Sequence, residues 1–365
     1  MVIFLGVLLL VNYIYDDSDS LLVVNDSLVI CGYHQYNLKV HLTNKAKLKI
    51  RLWDGTDSTG QIILQAPLIY IHDSSIVQGT GYGYLGGTNT HPDGYGPGYG
   101  HAGVGGGGGG GGYGGAGGDG GDLDPGTGGI SYGNASDTVI NMGSGGAAGR
   151  LGSVDGFGGN GGALVYLKGH RIIIDSSSVL SNGMRGYDGG YEAGGAGSGG
   201  GIKIQTDTIR IRYASVLANG GAGGDAAGGG GGGAGGGRIK IFCSILDTLH
   251  LSLSVSGGAG GTGGNGNGEN GVAGTIFFGP LVALEELCQD KPPIIIQPGI
   301  TNGRLMVYSA TSKKNLLIYD ARGRFIKKAK LSGQVDRIDI SELQNGVYFI
   351  RIPDLHSFIK IILIK

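Results

Sequence analysis

Gly201-Ile-Lys-Ile-Gln-Thr-Asp-Thr-Ile-Arg-Ile-Arg-Tyr-Ala-Ser-Val-Leu-Ala-Asn219 runs directly into Gly220 to Gly237, a tract that is almost pure glycine. The same order stands on either side. Upstream, Ala163-Leu-Val-Tyr-Leu167 and Arg171-Ile-Ile-Ile-Asp-Ser-Ser-Ser-Val-Leu-Ser-Asn182 lead into a glycine tract ending at Gly200. Downstream, Arg238-Ile-Lys-Ile-Phe242 and Leu249-His-Leu-Ser-Leu-Ser-Val-Ser256 lead into another, ending at Gly271. Taking Leu164, Ile202, Ile239 and Ile276 as anchors, the spacings are 38, 37 and 37 residues. A fixed period of this size is the mark of a repeat array.

Each repeat has two physical halves. In the first, Ile202, Ile204, Ile209 and Ile211 alternate with polar residues, the period-two pattern of half-buried strands. One repeat cannot bury that face alone, so neighbouring repeats must stack strand on strand. The second half has no side chains to bury, and glycine loses the most backbone entropy on ordering. A flexible linker is the plain reading. The scarcity of serine and lysine and the near-constant tract length favour extended three-fold helices bonded side by side. Collagen is disfavoured, because these tracts hold almost no proline and no sustained Gly-X-Y register. The expected fold is all-β: a glycine-rich, parallel β-helix-like solenoid of about 37-residue repeats with polyglycine segments.

With 82 glycines in 365 residues the chain is no ordinary globular domain. Its formal net charge is −1. From Thr301 onward Lys and Arg outnumber Asp and Glu by 12 to 5, and the remainder has 15 against 23, a balance that argues against nucleic acid. Cys31, Cys243 and Cys288 are too few and scattered for a disulfide framework or a zinc site, although one disulfide of undeducible pairing remains open.

In chain order, Met1–Val11 has the length of a signal-peptide core, and residues 1–15 are expected to be a signal peptide, without a basic n-region. Residues 16–78 read as an N-terminal β cap and a degenerate first repeat. Residues 79–162 break the period with a long insertion carrying Tyr82, Tyr84, Tyr95, Tyr99 and Tyr113. Exposed tyrosines on a glycine support suit sugar or protein contact, and internal packing of the insertion is the competing reading. Insertions into repeats gather on one face, often the binding face. The solenoid is expected over 163–290, a proline-containing linker over 291–300, and a separate all-β domain over 301–365.

That last stretch carries a family resemblance. Its pieces are the Tyr319-Asp320-x-x-Gly323 hairpin, the Asp339-Ile-Ser-x-Leu343 step, the Gly346-Val-Tyr348 opening and a terminal basic strand containing Lys360. In this order at the C-terminus they resemble the type A sorting domain of the type IX secretion system. The usual Pro-Asn-Pro opening is absent, and Gln297-Pro-Gly-Ile-Thr-Asn-Gly-Arg-Leu305 stands in its place. The resemblance implies a small immunoglobulin-like β-sandwich read as an export signal, with the outer-membrane secretion machinery as partner. It further implies secretion, often with removal of the domain and anchoring at the cell surface. The repeats are also similar, by composition, to glycine-rich parallel β-helix surface proteins.

Catalytic signatures are scarce. Gly-x-Gly-x-x-Gly carries no information in so glycine-rich a chain, and there is no Walker A or His-Glu-x-x-His. Aligned on the anchors above, Asp175 falls over Tyr213 and His250, and Asp207 over Gly169 and Ser244, so no carboxylate pair for glycan cleavage arises. Two columns do align: Asn182, Asn219 and Ser256, and Asp188, Asp225 and Thr262. Stacked asparagines suit an amide ladder. Stacked aspartates about 4.8 Å apart repel unless solvated or bridged by a cation. Calcium is therefore the one cofactor left open, at Asp188 and Asp225 or at Asp119, Asp122 and Asp124, which echo a calcium nonapeptide out of register. The reading is a secreted, cell-surface structural or adhesive protein, not an enzyme. A polysaccharide-acting β-helix enzyme or binding module is the alternative, and self-association through uncapped ends is a further expectation.

Overall fold

The computed structural model describes residues 12–280 and, beyond them, 294–297, 300–301, 304–309, 315–330, 335–351 and 358–363. Most of the expected signal segment, 1–11, and half of the expected linker, 291–293 and 298–299, lie outside the described residues. The chain divides into two units, Met1–Val282 and Ala283–Lys365. Among the described residues there is no helix.

In the first unit the strand halves stack as two sheets. One runs Ser20–Val24, Lys39–Thr43, Leu68–Ile71, Leu164–Asp175, Gly201–Arg212, Arg238–Leu249 and Thr275–Gly279, all parallel. The strand Gln61–Gln65 pairs with the front half of Leu164–Asp175. The other sheet runs Ser27–Ile30, Lys47–Ile50, Ile76–Gln78, Ser178–Leu180, Ser215–Leu217 and Ser252–Ser254. Tyr13–Asp16, whose first three residues belong to the expected signal segment, folds back antiparallel on Ser20–Val24. Residues 16–78 thus supply strand-only rungs beneath the glycine-bearing repeats.

The alternation puts one face of each strand into a single core. Val165, Leu167, Ile172, Ile174 and Val179 meet Ile202, Ile204, Ile209, Ile211 and Val216, and all are fully buried. Each such side chain contributes about 1.5–3 kcal/mol of burial. The register corrects the expected anchors. Leu164 lies opposite Gly201, and Val165 is the residue that joins the column Ile202, Ile239, Ile276. The step is therefore 37 residues throughout, as the hydrogen bonds between equivalent positions also show. A shift of one residue follows for the first repeat: Ser176, not Asp175, shares the corner with Tyr213 and His250. All three hold positive φ near 50°, and the last two stack their rings 4.9 Å apart. Asp207 lies over His170, with Nδ1 and Oδ2 2.9 Å apart, rather than over Gly169. Asp175 is paired with Arg210 at 2.9 Å. Cys31 and Cys243 are free and half-buried, and Cys288 lies outside the described residues.

The glycine halves are hydrogen-bonded in three directions. In the limb 193–200, the N–H groups of Ala193, Ala196 and Gly199 donate to the carbonyls of Gly229, Gly232 and Gly235 in the next repeat. Those of Gly194, Gly197 and Gly200 donate to Tyr187, Met184 and Ser181 in the same repeat. Those of Gly195 and Ser198 donate to Ala147 and Ser144 in the insertion. Successive residues point in three directions and the fourth repeats the first, which is the geometry of an extended three-fold helix. The limb 230–237 does the same. A side chain has no room between such limbs: a Cβ on Gly231 would lie 1.9 Å from the Gly194 carbonyl oxygen.

The stack ends in a polar cap. Gly223 and Ala226 donate their N–H groups to the Ala259 and Thr262 carbonyls of the following repeat. Their counterparts Gly260 and Gly263 donate instead to the side-chain oxygens of Asn270 and Asn267, at 2.8 and 3.0 Å. Two asparagines stand in for the next repeat, as terminal repeats require.

In the second unit, Ile294–Gln297, Arg304–Ser309 and Val335–Asp339 form one antiparallel sheet. Ile300–Thr301, Phe358–Leu363, Gly346–Arg351, Asn315–Asp320 and Phe325–Lys330 form the other. Leu305 and Ile338 from the first sheet pack with Leu316, Ile318, Tyr348, Ile350 and Leu363 from the second.

Three outcomes are expected. Gly231→Ala lowers stability by about 1–3 kcal/mol through overpacking. Gly190→Ala, whose Cβ meets nothing closer than an Asp155 carboxylate oxygen at 3.6 Å, stays within about 0.5 kcal/mol of wild type in urea melts. Replacing Asn267 and Asn270 together by glycine leaves two N–H groups without acceptors, and light scattering is expected to report self-association.

Candidate functional site

The insertion does not stand on loops. Its segments form a further row of the same lattice: Gly108 and Gly111 donate to Ala193 and Ala196, and Gly232 and Gly235 donate to Gly108 and Gly111. Residues 131–142 then cross the outer face of the long strands. There Lys203 Nζ donates to the Thr138 carbonyl at 2.7 Å. Lys240 Nζ, almost wholly buried, donates to Asn134 O, Val139 O and Asp137 Oδ1 at 2.8, 2.7 and 2.6 Å.

This placement divides the five tyrosines. Tyr113 is fully buried, contrary to the expected exposure. Its hydroxyl accepts the Asn141 N–H at 2.8 Å, and its ring lies 4.7 Å from Tyr132 and 5.5 Å from the Arg238 guanidinium. Burial pushes its phenol up to about 12. Tyr82 is half-buried against the strand core. Tyr84 and Tyr95 converge on Trp53, with ring centroids 4.9 and 5.6 Å away, and His91 stacks on Tyr95 at 4.3 Å. Tyr99 pairs with His101 at 4.5 Å. Trp53 was not a candidate in the sequence, although it is the chain's one tryptophan. An edge-and-face set of this kind suits contact with a sugar ring or an apolar side chain.

The aspartates join repeats to one another. Asp188 Oδ1 accepts the Asp225 N–H at 2.8 Å, and Asp225 Oδ1 accepts the Thr262 N–H and hydroxyl at 2.6 and 2.8 Å. Arg185 lies 2.6 Å from both Asp188 Oδ1 and Asp225 Oδ2. The bridging cation is thus a guanidinium. It holds the Asp188 carboxyl below the usual range by hydrogen bonding. Asp225 is held low chiefly by Thr262, with Arg185 adding to it. The asparagine column works alike: Asn182 Oδ1 accepts the Asn219 N–H, and Asn219 Oδ1 accepts the Ser256 N–H, both at 2.8 Å.

The second set of aspartates diverges. Asp119 Oδ1 accepts the Gly128 N–H at 2.7 Å, Asp122 Oδ2 accepts from Asn265 Nδ2 at 3.2 Å, and Asp124 is exposed. No group of three metal-binding side chains gathers among the described residues. One carboxylate contact arises that spacing did not reveal, between Asp122 and Glu192, and Glu192 is fully buried.

In the second unit the motif residues build the fold locally. Asp320 Oδ1 accepts the N–H groups of Arg322 and Arg324 at 2.9 Å, and these bonds, led by Arg324, hold its carboxyl low. Gly323 takes φ 77°, open to glycine and strained for other residues. Asp339 Oδ1 accepts the Ser341 N–H at 2.8 Å, and Leu343 packs against the core. Gly346 begins the strand in which Tyr348 is buried, its hydroxyl donating to Gln344 O at 2.8 Å. Lys360 lies opposite Phe349 in the register. Tyr319, Asp320, Gly323, Phe349 and Arg351 line an open groove of about 420 Å³.

The Arg185 bridge makes a prediction. Groups held low stabilise the fold above the ordinary carboxylate pKa and lose that contribution as pH falls through the lowered value. Arg185→Gln should therefore begin acid unfolding at higher pH than wild type. Because all three side chains are about half exposed, the loss at neutral pH should be roughly 0.5 kcal/mol or less and should shrink with salt. Circular dichroism against pH at two ionic strengths checks both points.

Compared with known proteins, the chain matches no curated sequence. Residues 298–365 match a family described as the secretion system C-terminal sorting domain. The C-terminal unit carries this sorting signal, which marks the protein for secretion through the type IX pathway and places it outside the cell or at its surface.

Proposed function

We propose that the first unit is an extracellular structural element, a rigid repeat stack that the sorting domain delivers to the cell exterior. The observation that carries this reading is the three-way hydrogen bonding of the glycine limbs. It turns the part of each repeat that would otherwise be a loop into ordered scaffold. Of the candidate carboxylates, those of Asp119, Asp122, Asp188 and Asp225 are engaged with backbone N–H groups, with Arg185 or with Asn265. No catalytic activity is part of this proposal.

An adhesive role is the second reading, favoured by the Trp53, Tyr84, Tyr95 and His91 cluster. Its ligand would be an extracellular polysaccharide or an aromatic-tolerant protein surface. Attachment to the outer membrane after removal of the sorting domain belongs to the same proposal.

In a host with a type IX system, the full chain is expected in the surface and medium fractions, and a chain lacking 298–365 in the periplasm. Purified protein incubated with a polysaccharide panel should yield no new reducing ends; their appearance would establish an enzyme. Retention on one polysaccharide, lost at least tenfold in both Trp53→Ala and Tyr95→Ala, would select adhesion over a purely structural role.

A further inference from the structure

Glu192 sits where the first glycine-bearing repeat turns back, at a position occupied by glycine in the next two repeats (Gly229 and Gly266). It has no exposed surface. Its own N–H donates to Asp155 Oδ2 at 2.9 Å, and its Oε2 accepts the Gly229 N–H at 3.0 Å. Its other oxygen, Oε1, is buried without a hydrogen-bond donor. The insertion tip closes over it. A Cβ on Gly229 would lie 2.5 Å from both Glu192 Oε2 and the Gly121 carbonyl oxygen, and the next residue, Asp122, brings its carboxyl within hydrogen-bonding reach of Glu192. Asp122 also accepts from Asn265 Nδ2, which donates in turn to the Tyr191 hydroxyl at 2.9 Å. The insertion tip thus touches the turns of the first and last repeats together.

Two carboxylates in contact, one of them buried, cannot both be ionised without a compensating positive charge. The charged groups that act on Glu192 are Asp122 from the insertion tip and Asp155 from the segment after Val154, both acidic. Of the arginines on adjoining elements, Arg185 is engaged with Asp188 and Asp225, and Arg150, next to the Gly149 that packs on the Glu192 backbone, has its buried Nε without a hydrogen-bond partner and forms no ion pair with Glu192 among the described residues. We propose that a proton shared between Glu192 Oε1 and Asp122 clasps the insertion tip to the repeat stack, and that the clasp weakens as the surroundings turn alkaline. Burial, with the two aspartates adding to it, raises the Glu192 carboxyl to about 7. A group raised on folding contributes fully below its unfolded pKa, near 4.5, and loses that contribution as pH rises through the folded value.

The test is thermal melting of the full chain from about pH 5 to 9. Wild type should lose about 3 °C or more across the window. Glu192→Gln keeps a donor toward Asp122 without titrating, and its curve should be flat relative to wild type. Asp122→Asn, which supplies a neutral partner, should show a shallower slope and serves if Glu192→Gln fails to fold. A wild-type slope retained by both variants, or no slope in wild type, would overturn the proposal. A rise in wild-type melting temperature on adding calcium at pH 8, absent in Glu192→Gln, would overturn it in favour of a divalent ion.

Discussion

Everything in the first unit depends on where the glycine backbone places its N–H groups. An extended three-fold helix has no hydrogen bonds of its own, so every buried N–H must find a carbonyl on a neighbouring chain. Here each limb is surrounded: by the next repeat, by its own antiparallel partner and by the insertion. Such packing leaves no room for a Cβ at most limb positions, and a carbonyl oxygen about 2 Å from the virtual Cβ recurs along the limbs. The glycine content is therefore a packing requirement rather than a sign of flexibility.

The limbs do not hold themselves together alone. Ordering a backbone costs about 1–2 kcal/mol per residue, and more for glycine. A buried hydrogen bond returns only about 1 kcal/mol net. The apolar columns of Val165, Ile202 and Ile239 and of Ile172 and Ile209 supply the missing stabilisation and fix the rise between repeats. Because strands and limbs share one 37-residue step, the side-chain ladders of Asn182 and Asp188 can repeat at Asn219 and Asp225. The insertion uses the same rules in a further row, which is why its tyrosines serve packing at Tyr113 and surface contact near Trp53.

Much of this was legible from residues alone. The period, the strand halves, the three-fold limbs and the sorting unit all leave local signatures. The one-residue slip at Leu164 arose because Leu164 and Val165 are both apolar, and only the register against Gly201 separates them. The burial of Tyr113 and the Asp122–Glu192 contact were hidden, since both depend on how an insertion docks across more than one repeat. The Asp188–Asp225 column was found, but its cation was sought among metals while Arg185 stood three residues before Asp188. Asn267 and Asn270 were readable in principle, as polar residues where the preceding repeat has Gly230 and Gly233.

The most direct test of the lattice is amide hydrogen exchange over 193–200 and 230–237, read beside the strand Gly201–Arg212. Protection of the limb glycines to nearly the level of the strand amides is the predicted result, since both are held in one cooperative stack. Exchange of the limb amides at random-coil rates, with the strands still protected, would mean that the glycine tracts are loops between strands and would contradict the account.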